Sequence, residues 1–569
     1  MKRTKAMLLQ TTSYSHGVSD DPLIGETIGT RFDRAVAQWL DREALVVPYQ
    51  NVRWTYRELA EKVDAFALGL LALGLRPGDR VGVWSPNNSA WAITQFATAK
   101  AGLILVTINP AYRTSEVEYA LNKVGCKALV LATAHKSSDY VRMLKELAPE
   151  LEWSAAGQLE AQRLPDLKAV IQIGGSGPGL FAFERILEIG RSREKRELTE
   201  KASKLSFDDA INIQFTSGTT GAPKGATLSH HNILNNAYFS GKIIDLTCDD
   251  RICLPVPLYH CFGMVLGNLM AILYGTALVY PGEAFDPLIV LQTVEKERCT
   301  VLYGVPTMFI SELEHPEFDR FDLRSLRTGI MAGSPCPTEV MRRVLDRMHL
   351  NEITIGYGMT ETSPLSCQGR PDDTIERRVG TVGRVHPHVE IKIVDREGAT
   401  AARGATGELL VRGYSVMQRY WADEEKTAET IDAAGWLRTG DLATMDNDGY
   451  CNIVGRIKDM VIRGGENIYP REIEDVLYSH PEIEAAQAFG VPDRKFGEQL
   501  CVWIRTRADA KLEAEEIREF CRGRLAHFKV PHYVKFVDEF PLTVTGKFQK
   551  FQMRAKMCEE LGVSELETA

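Results

Sequence analysis

Strand-length apolar runs alternating with helix-period segments constrain this chain more than any other feature. Thr55 reads as an N-cap, and Leu59, Val63, Phe66, Ala67 and Leu70 then recur at helical spacing up to Gly74. Arg76-Pro-Gly-Asp79 reads as a turn and residues 80–84 as a strand. A helix over 89–100, a strand over 103–108, a helix over 115–123 and a strand over 127–131 follow. Parallel strands need crossovers of a dozen or more residues, so this alternation predicts a parallel α/β sheet. Residues 153–165 read as a polar surface loop, and 168–173 resumes strand character. The theme returns downstream. Ser229 caps a helix through Phe239, an apolar helix covers 264–273, and strands fall at 251–255, 277–280 and 301–303, with no fixed-period repeat.

The pattern changes after Arg384. Residues 389–394 and 407–412 alternate as half-buried antiparallel strands do. Beyond Gly455, helices at 470–479 and 514–525 lie among strands at 485–489, 499–505 and 533–537. The predicted organisation is α/β: a large N-terminal domain of parallel α/β sheets with a small β-subdomain over 1–455, then an α+β C-terminal domain over 456–569.

Chemistry concentrates first in Thr216-Ser-Gly-Thr-Thr-Gly-Ala-Pro-Lys-Gly225, directly after the strand-like run 211–215. Its glycines let backbone N–H groups approach an anion, Thr216, Ser217, Thr219 and Thr220 add hydroxyls beside Gly218, and Lys224 adds a charge. Many donors without a carboxylate suit phosphate. Gly225 after Lys224, where a Walker A loop has Ser or Thr, excludes that motif.

Composition excludes several functions. A net charge of −9 gives no basic footprint for nucleic acid. The eleven cysteines are scattered, with no CxxC pair, which suits reduced thiols in a cytosol-like compartment. The longest apolar run, 65–75, is too short to span a bilayer, and the first ten residues are too weakly apolar for a secretory signal. A mitochondrial presequence stays open.

Further dense motifs follow in order: Pro257-Leu-Tyr-His-Cys-Phe-Gly263, Gly356-Tyr-Gly-Met-Thr-Glu-Thr362, Thr439-Gly-Asp441, Gly455-Arg456, Val461-Ile-Arg-Gly-Gly-Glu-Asn467 and Thr545-Gly-Lys547. Together with the phosphate loop, this ordered set resembles the adenylate-forming superfamily of acyl-CoA synthetases, luciferases and adenylation domains. It is most like the medium-chain type, acyl-CoA synthetase family member 2, over roughly residues 25–555. The resemblance implies two steps. A carboxylate attacks the α-phosphate of Mg·ATP to give acyl-AMP and pyrophosphate, and the thiol of coenzyme A then displaces AMP.

The same resemblance assigns roles. The loop would hold the β- and γ-phosphates, Glu361 would contact Mg²⁺, and Thr360 would meet the α-phosphate. Tyr357 would stack on adenine opposite Gly333, Ser334 and Pro335, and Asp441 with Arg456 would hold the ribose. His260 would gate an acyl pocket drawn from Met264, Asn268, Val305, Thr307, Met308 and Ala332. Lys458 would be the hinge, Lys547 the catalytic lysine, and Gly464 and Gly465 the side on which coenzyme A enters. Phe548 departs from the isoleucine usual after that lysine. The largely apolar wall favours an aliphatic or arylalkyl acid. Loading of a separate carrier protein, and a non-catalytic acyl or nucleotide sensor, are the alternatives. A homodimer is compatible with the resemblance; the compartment would be cytoplasm for a bacterial source and mitochondrial matrix for a eukaryotic one.

Overall fold

The structure, a computed structural model, describes residues 11–216, 223–507, 510–543 and 545–563. Among them, two large mixed sheets dominate. One runs Leu180–Ala182, Ala169–Gln172, Ala128–Leu131, Arg80–Trp84, Ile104–Ile108, Ala210–Thr216, Lys224–Ser229 and Arg419–Tyr420. Its pairs are parallel as far as Ala210–Thr216, and the last two pairings are antiparallel. The other has Val301–Gly304, Thr328–Ala332 and Thr354–Gly358 side by side in parallel. One apolar core contains Val81, Val83 and Leu105 of the first sheet together with Leu45, Leu278 and Val301 of the second. The helices between the sheets are locally well specified. Helix Tyr56–Ala72 opens on a capping box, in which the Thr55 hydroxyl accepts from Glu58 N–H and Glu58 accepts from Thr55 N–H at 2.8 Å.

Antiparallel strands Val389–Val394, Gly407–Gly413, Leu437–Met445 and Cys451–Arg456 form the β-subdomain expected from alternation. The C-terminal module is a long hairpin, Ile483–Asp493 with Gly497–Thr506, flanked by helices Pro470–Tyr478 and Ala514–Arg522. It has apolar cores of its own, around Ile473, Leu500 and Val502 and around Phe489, Trp503 and Met553.

One connection is added and three local expectations are revised. The phosphate loop joins Ala210–Thr216 to an antiparallel strand, Lys224–Ser229, so it is a hairpin connection with Thr216 opposite Lys224. The helix expected over 264–273 is a π-helix, Met264–Leu269, continued as α-helix Met270–Tyr274. The π-turn accompanies a buried Asn268 whose amide is bonded to Gln95 and Tyr280. Within 153–165, Leu159, Ala161 and Leu164 are buried, because apolar side chains pin the loop to the sheet below. The strand expected at 485–489 runs from Ile483 to Asp493, since pairing with Gly497–Thr506 carries it past its apolar centre.

Strand Thr354–Gly358 ends in an irregularity between Tyr357 and Gly358 that turns the chain toward Glu361. A Cβ on Gly358 would lie 1.8 Å from the carbonyl oxygen of Pro364, so only glycine fits. Gly358→Ala is expected to cost about 1–3 kcal/mol by overpacking and to weaken AMP binding through a displaced Tyr357. Thermal unfolding and calorimetry with AMP check this, and an unchanged midpoint with unchanged affinity would mean that the turn yields freely.

Candidate active site

The residues expected on the nucleotide side come from three strands, with Tyr357 near the end of Thr354–Gly358, Asp441 in the middle of Leu437–Met445 and Arg456 at the end of Cys451–Arg456. Asp441 and Arg456 are cross-strand partners in the β-subdomain, with Arg456 Nε 3.1 Å from Asp441 Oδ1. The Tyr357 hydroxyl donates to Asp441 Oδ2 at 2.7 Å. Burial and the Asp441 charge push the Tyr357 phenol well up, so it remains a donor. A buried carboxylate is thus held in plane by a phenol and a guanidinium, a geometry suited to accepting from a diol. Gly333, Ser334 and Pro335 leave strand Thr328–Ala332 on a left-handed residue, Gly333 at φ 94°. A Cβ there would lie 3.1 Å from Val305 and 3.5 Å from Lys547 Cε.

On the phosphate side, Glu361 sits in a single turn, Thr360–Thr362, and is buried. Its Oε1 accepts from the Tyr420 hydroxyl at 2.8 Å and from Thr216 Oγ1 at 3.2 Å. Lys224 Nζ lies 4.5 Å from the centroid of the Tyr420 ring. Thr360 is buried with Oγ1 3.8 Å from Cys261 Sγ. Ser217, Gly218, Thr219 and Thr220 lie outside the described residues.

The residues expected around the acyl group lie beyond His260. Its Nδ1 accepts from Phe262 N–H at 3.2 Å, and burial with the charge of Lys547 holds the ring pKa down at about 3, so the imidazole is neutral. Phe262 stacks on Tyr303 with centroids 5.8 Å apart. Met264, Asn268, Val305, Met308 and Ala332 are buried. The sulfur of Met264 accepts from Gln214 Nε2 at 3.1 Å. Asn268 donates to Gln95 at 2.7 Å and accepts from Tyr280 at 2.6 Å. Thr307 is placed differently from the other five: its hydroxyl donates to Gly546 O of the C-terminal module at 3.0 Å.

Lys547 is brought into this site. Its loop is closed by Thr543 N–H donating to Lys547 O at 2.8 Å. Burial, then the charge of Arg456, pushes its amine below the ordinary lysine value, while Cys261, Glu361 and Asp441 act in the opposite sense. Lys458 occupies the short turn Ile457–Asp459 after Arg456 and is lowered chiefly by burial. Gly464 and Gly465 are not gathered with the rest. They form the exposed turn between Val461–Arg463 and Glu466–Ile468, at φ 59° and 87°.

Sequence reasoning missed Tyr420, Gln95, Gln214 and Tyr280. Tyr420 sits in a two-residue strand with no motif around it, and a buried glutamine in a helix or strand looks like any solvated one until its neighbours are known.

A lysine delivered from a separately packed module can be offered for one step and withdrawn for the next. On this fold it stands where the charges of Arg456 and Asp441 act on it. The chain belongs to the AMP-binding enzyme family: residues 32–421 match the AMP-binding enzyme family and 472–547 the AMP-binding enzyme C-terminal domain. It is 50% identical over 556 residues to a protein of Danio rerio named medium-chain acyl-CoA ligase ACSF2, mitochondrial, covering 97% of this chain and 92% of that protein. It is 46% identical to the putative acyl-CoA synthetase YngI of Bacillus subtilis, covering 95% and 99%. Among solved structures, the anthranilate CoA ligase AuaEII in complex with anthranoyl-AMP superposes with a TM-score of 0.85 at 26% identity, over 96% of this chain and 99% of that one. ATP-bound MatB of Rhodopseudomonas palustris gives 0.78 at 27%, over 95% and 100%.

Asp441→Ala should weaken AMP and ATP alike, because ribose is common to both. Loss of charged hydrogen bonds costs about 1.5–3 kcal/mol, on the order of tenfold to a hundredfold in Kd. Calorimetry with each nucleotide checks it.

Proposed function

We propose that the chain is an AMP-forming acid–CoA ligase that takes a medium-chain fatty acid. The observation that carries this is Lys547, a residue of the C-terminal module, standing where the charges of Arg456, Glu361 and Asp441 all act on it. A carboxylate oxygen attacks the α-phosphorus of ATP, the bond to the β,γ-pyrophosphate breaks, and acyl-AMP forms. The thiol of coenzyme A then attacks the acyl carbon, losing its proton, and AMP leaves. Lys547 neutralises charge in the first step and has to withdraw before a bulky thiol can reach the acyl carbon. Rotation of the module about Lys458 would exchange the Lys547 loop for the Gly464-Gly465 turn, which leaves room for pantetheine. The domain border falls at 455/456 in this reading. The buried apolar residues beyond His260 are the acyl wall, and the names of the ACSF2 relatives support a medium-chain acid.

Glu361 suits Mg²⁺. It is one buried carboxylate, and among the described residues no cluster of three acidic, His or Cys groups could hold an ion without substrate phosphates. A hard cation bound by one carboxylate plus phosphate oxygens is the usual Mg²⁺ arrangement. When bound, Mg²⁺ neutralises phosphate charge. One relative named as mitochondrial and one relative from a bacterium support the proposed compartment, mitochondrial matrix for a eukaryotic source and cytoplasm for a bacterial one; a homodimer is part of the same proposal.

Lys547→Ala should lose acyl-adenylate formation by roughly 10²–10³ while retaining thioester formation from supplied acyl-AMP. Gly465→Leu should do the reverse. Separate assays of the two halves decide it, and equal losses in both halves for both variants would mean one fixed conformation.

The pH profile carries a second prediction. With His260 neutral down to about 3, kcat/KM for adenylation should show no imidazole inflection between about pH 5 and 7. The working form of Lys547 is its cation, so activity should hold below its lowered pKa and fall as pH rises through it. That limb should lie at lower pH than an ordinary lysine gives, and Lys547→Arg should move it upward.

A further inference from the structure

Tyr420 has no role in the reaction as read so far, yet it touches both charged groups of the phosphate side. It is buried, in strand Arg419–Tyr420, which pairs antiparallel with the strand that begins at Lys224. Its hydroxyl donates to Glu361 Oε1 at 2.8 Å, and Lys224 Nζ stands 4.5 Å from its ring centroid. The backbone around it fastens the same parts. Met417 N–H donates to Glu361 O at 2.9 Å, Gln418 N–H to Thr227 O at 2.9 Å and Trp421 N–H to Gly225 O at 2.8 Å.

A lysine and a carboxylate that touch one and the same side chain could instead pair with each other, and each would then be neutralised before the nucleotide arrives. Among the described residues Glu361 makes no ion pair with Lys224; one uncharged side chain touches both. The ring face attracts the cation and the hydroxyl serves the anion. Tyr420 and Thr216 both bond the same carboxylate oxygen, Oε1, so among the described residues these two contacts fix one side of the carboxylate.

We infer that Tyr420 is a positioning residue for the metal–phosphate end of the nucleotide: its phenol fixes the Glu361 carboxylate, and its ring seats Lys224 and keeps the two charges apart. This rests on the reading of Glu361 as the magnesium-side carboxylate.

The test uses the full-length enzyme and four variants: Tyr420→Phe, Tyr420→Leu, Glu361→Gln and Lys224→Met. Calorimetry gives Kd for ATP with Mg²⁺, for ATP with EDTA and for AMP, and pyrophosphate exchange is titrated with Mg²⁺. Removing a partner that orients a metal-binding carboxylate costs about 10–100-fold in metal affinity. Tyr420→Phe should therefore shift the Mg²⁺ requirement and the Kd for Mg·ATP upward by about tenfold or more. It should leave AMP, metal-free ATP and thioester formation from supplied acyl-AMP unchanged. Combined with Glu361→Gln it should add no further shift. Tyr420→Leu should also weaken metal-free ATP, and Lys224→Met should reproduce that weakening without adding to it in the Leu background. If Tyr420→Leu fails to fold, Tyr420→Phe and Lys224→Met still decide the two halves. A normal Mg²⁺ titration and Mg·ATP affinity in Tyr420→Phe, beside a shifted one in Glu361→Gln, would overturn the role of Tyr420. A normal titration in Glu361→Gln itself would instead overturn the reading of Glu361. Equal weakening of AMP and Mg·ATP in Tyr420→Phe would show general damage to the site and also overturn the proposal.

Discussion

Two anions have to meet in this site, and their repulsion is the constraint around which the structure is arranged. Unit charges 4 Å apart interact by about 1 kcal/mol in water and about 4 kcal/mol at an effective dielectric constant of 20. Burial that orients a carboxylate against a triphosphate therefore also sharpens their repulsion. In the proposed reading the cations that answer it are Lys224, Arg456 and Lys547, from three different parts of the sequence. Gathered together, these cations also repel. Burial first, and then the charge of Arg456, lowers the pKa of Lys547, while Cys261, Glu361 and Asp441 act against that shift. Only Lys547 arrives on a module with its own apolar cores. Links across the border include the hydrogen bond from Thr307 to Gly546 O and the Arg507–Glu314 ion pair. Tyr478 of the module also packs against the core that contains Phe309 and Ile310, so the border joins polar contacts to one apolar contact.

Much of the fold was legible because its signals are local. Alternating apolar strands and periodic helices marked the elements from Arg80 to Leu131 to within a residue or so, and Thr55 and Ser229 were visible as caps. The change from helix-crossed to directly paired strands after Arg384 was legible from alternation alone. The hairpin after Thr216 was not. Lys224 to Ser229 mixes small and polar residues, and its strand state comes from pairing with Ala210–Thr216 on one side and Arg419–Tyr420 on the other. Long-range pairing of that kind leaves little trace in a short window.

The site divides in the same way. Motif positions such as Glu361, Asp441 and Lys547 could be named because their neighbours in sequence carry the pattern. Their mutual arrangement could not, since Asp441 meets Arg456 by strand register and Tyr357 across a subdomain border. Tyr420 and the Gln95–Asn268–Tyr280 group are legible only in three dimensions. Each is a buried polar group whose burial becomes affordable when a distant partner is placed beside it.

The hairpin also explains the composition of the phosphate loop. In open α/β sheets ligands bind beyond the carboxyl ends of parallel strands, where a following helix commonly offers its N-terminal N–H groups and positive dipole end to an anion. Here the strand that ends at Thr216 is followed by a reversed strand starting at Lys224, directly opposite it. Among the described residues the next element is a strand and not a helix, and a sheet has almost no net dipole to offer. The loop between them must then carry its own donors, which is what four hydroxyl residues and a lysine within 216–224 provide. The reversal has a second effect. By running back along the sheet, Lys224–Ser229 exposes a new edge, on which Arg419–Tyr420 docks. That docking carries Tyr420 to the same end of the sheet as Thr216 and Glu361. One change of strand direction thus sets Thr216 opposite Lys224 and provides the edge from which Tyr420 reaches the Glu361 carboxylate.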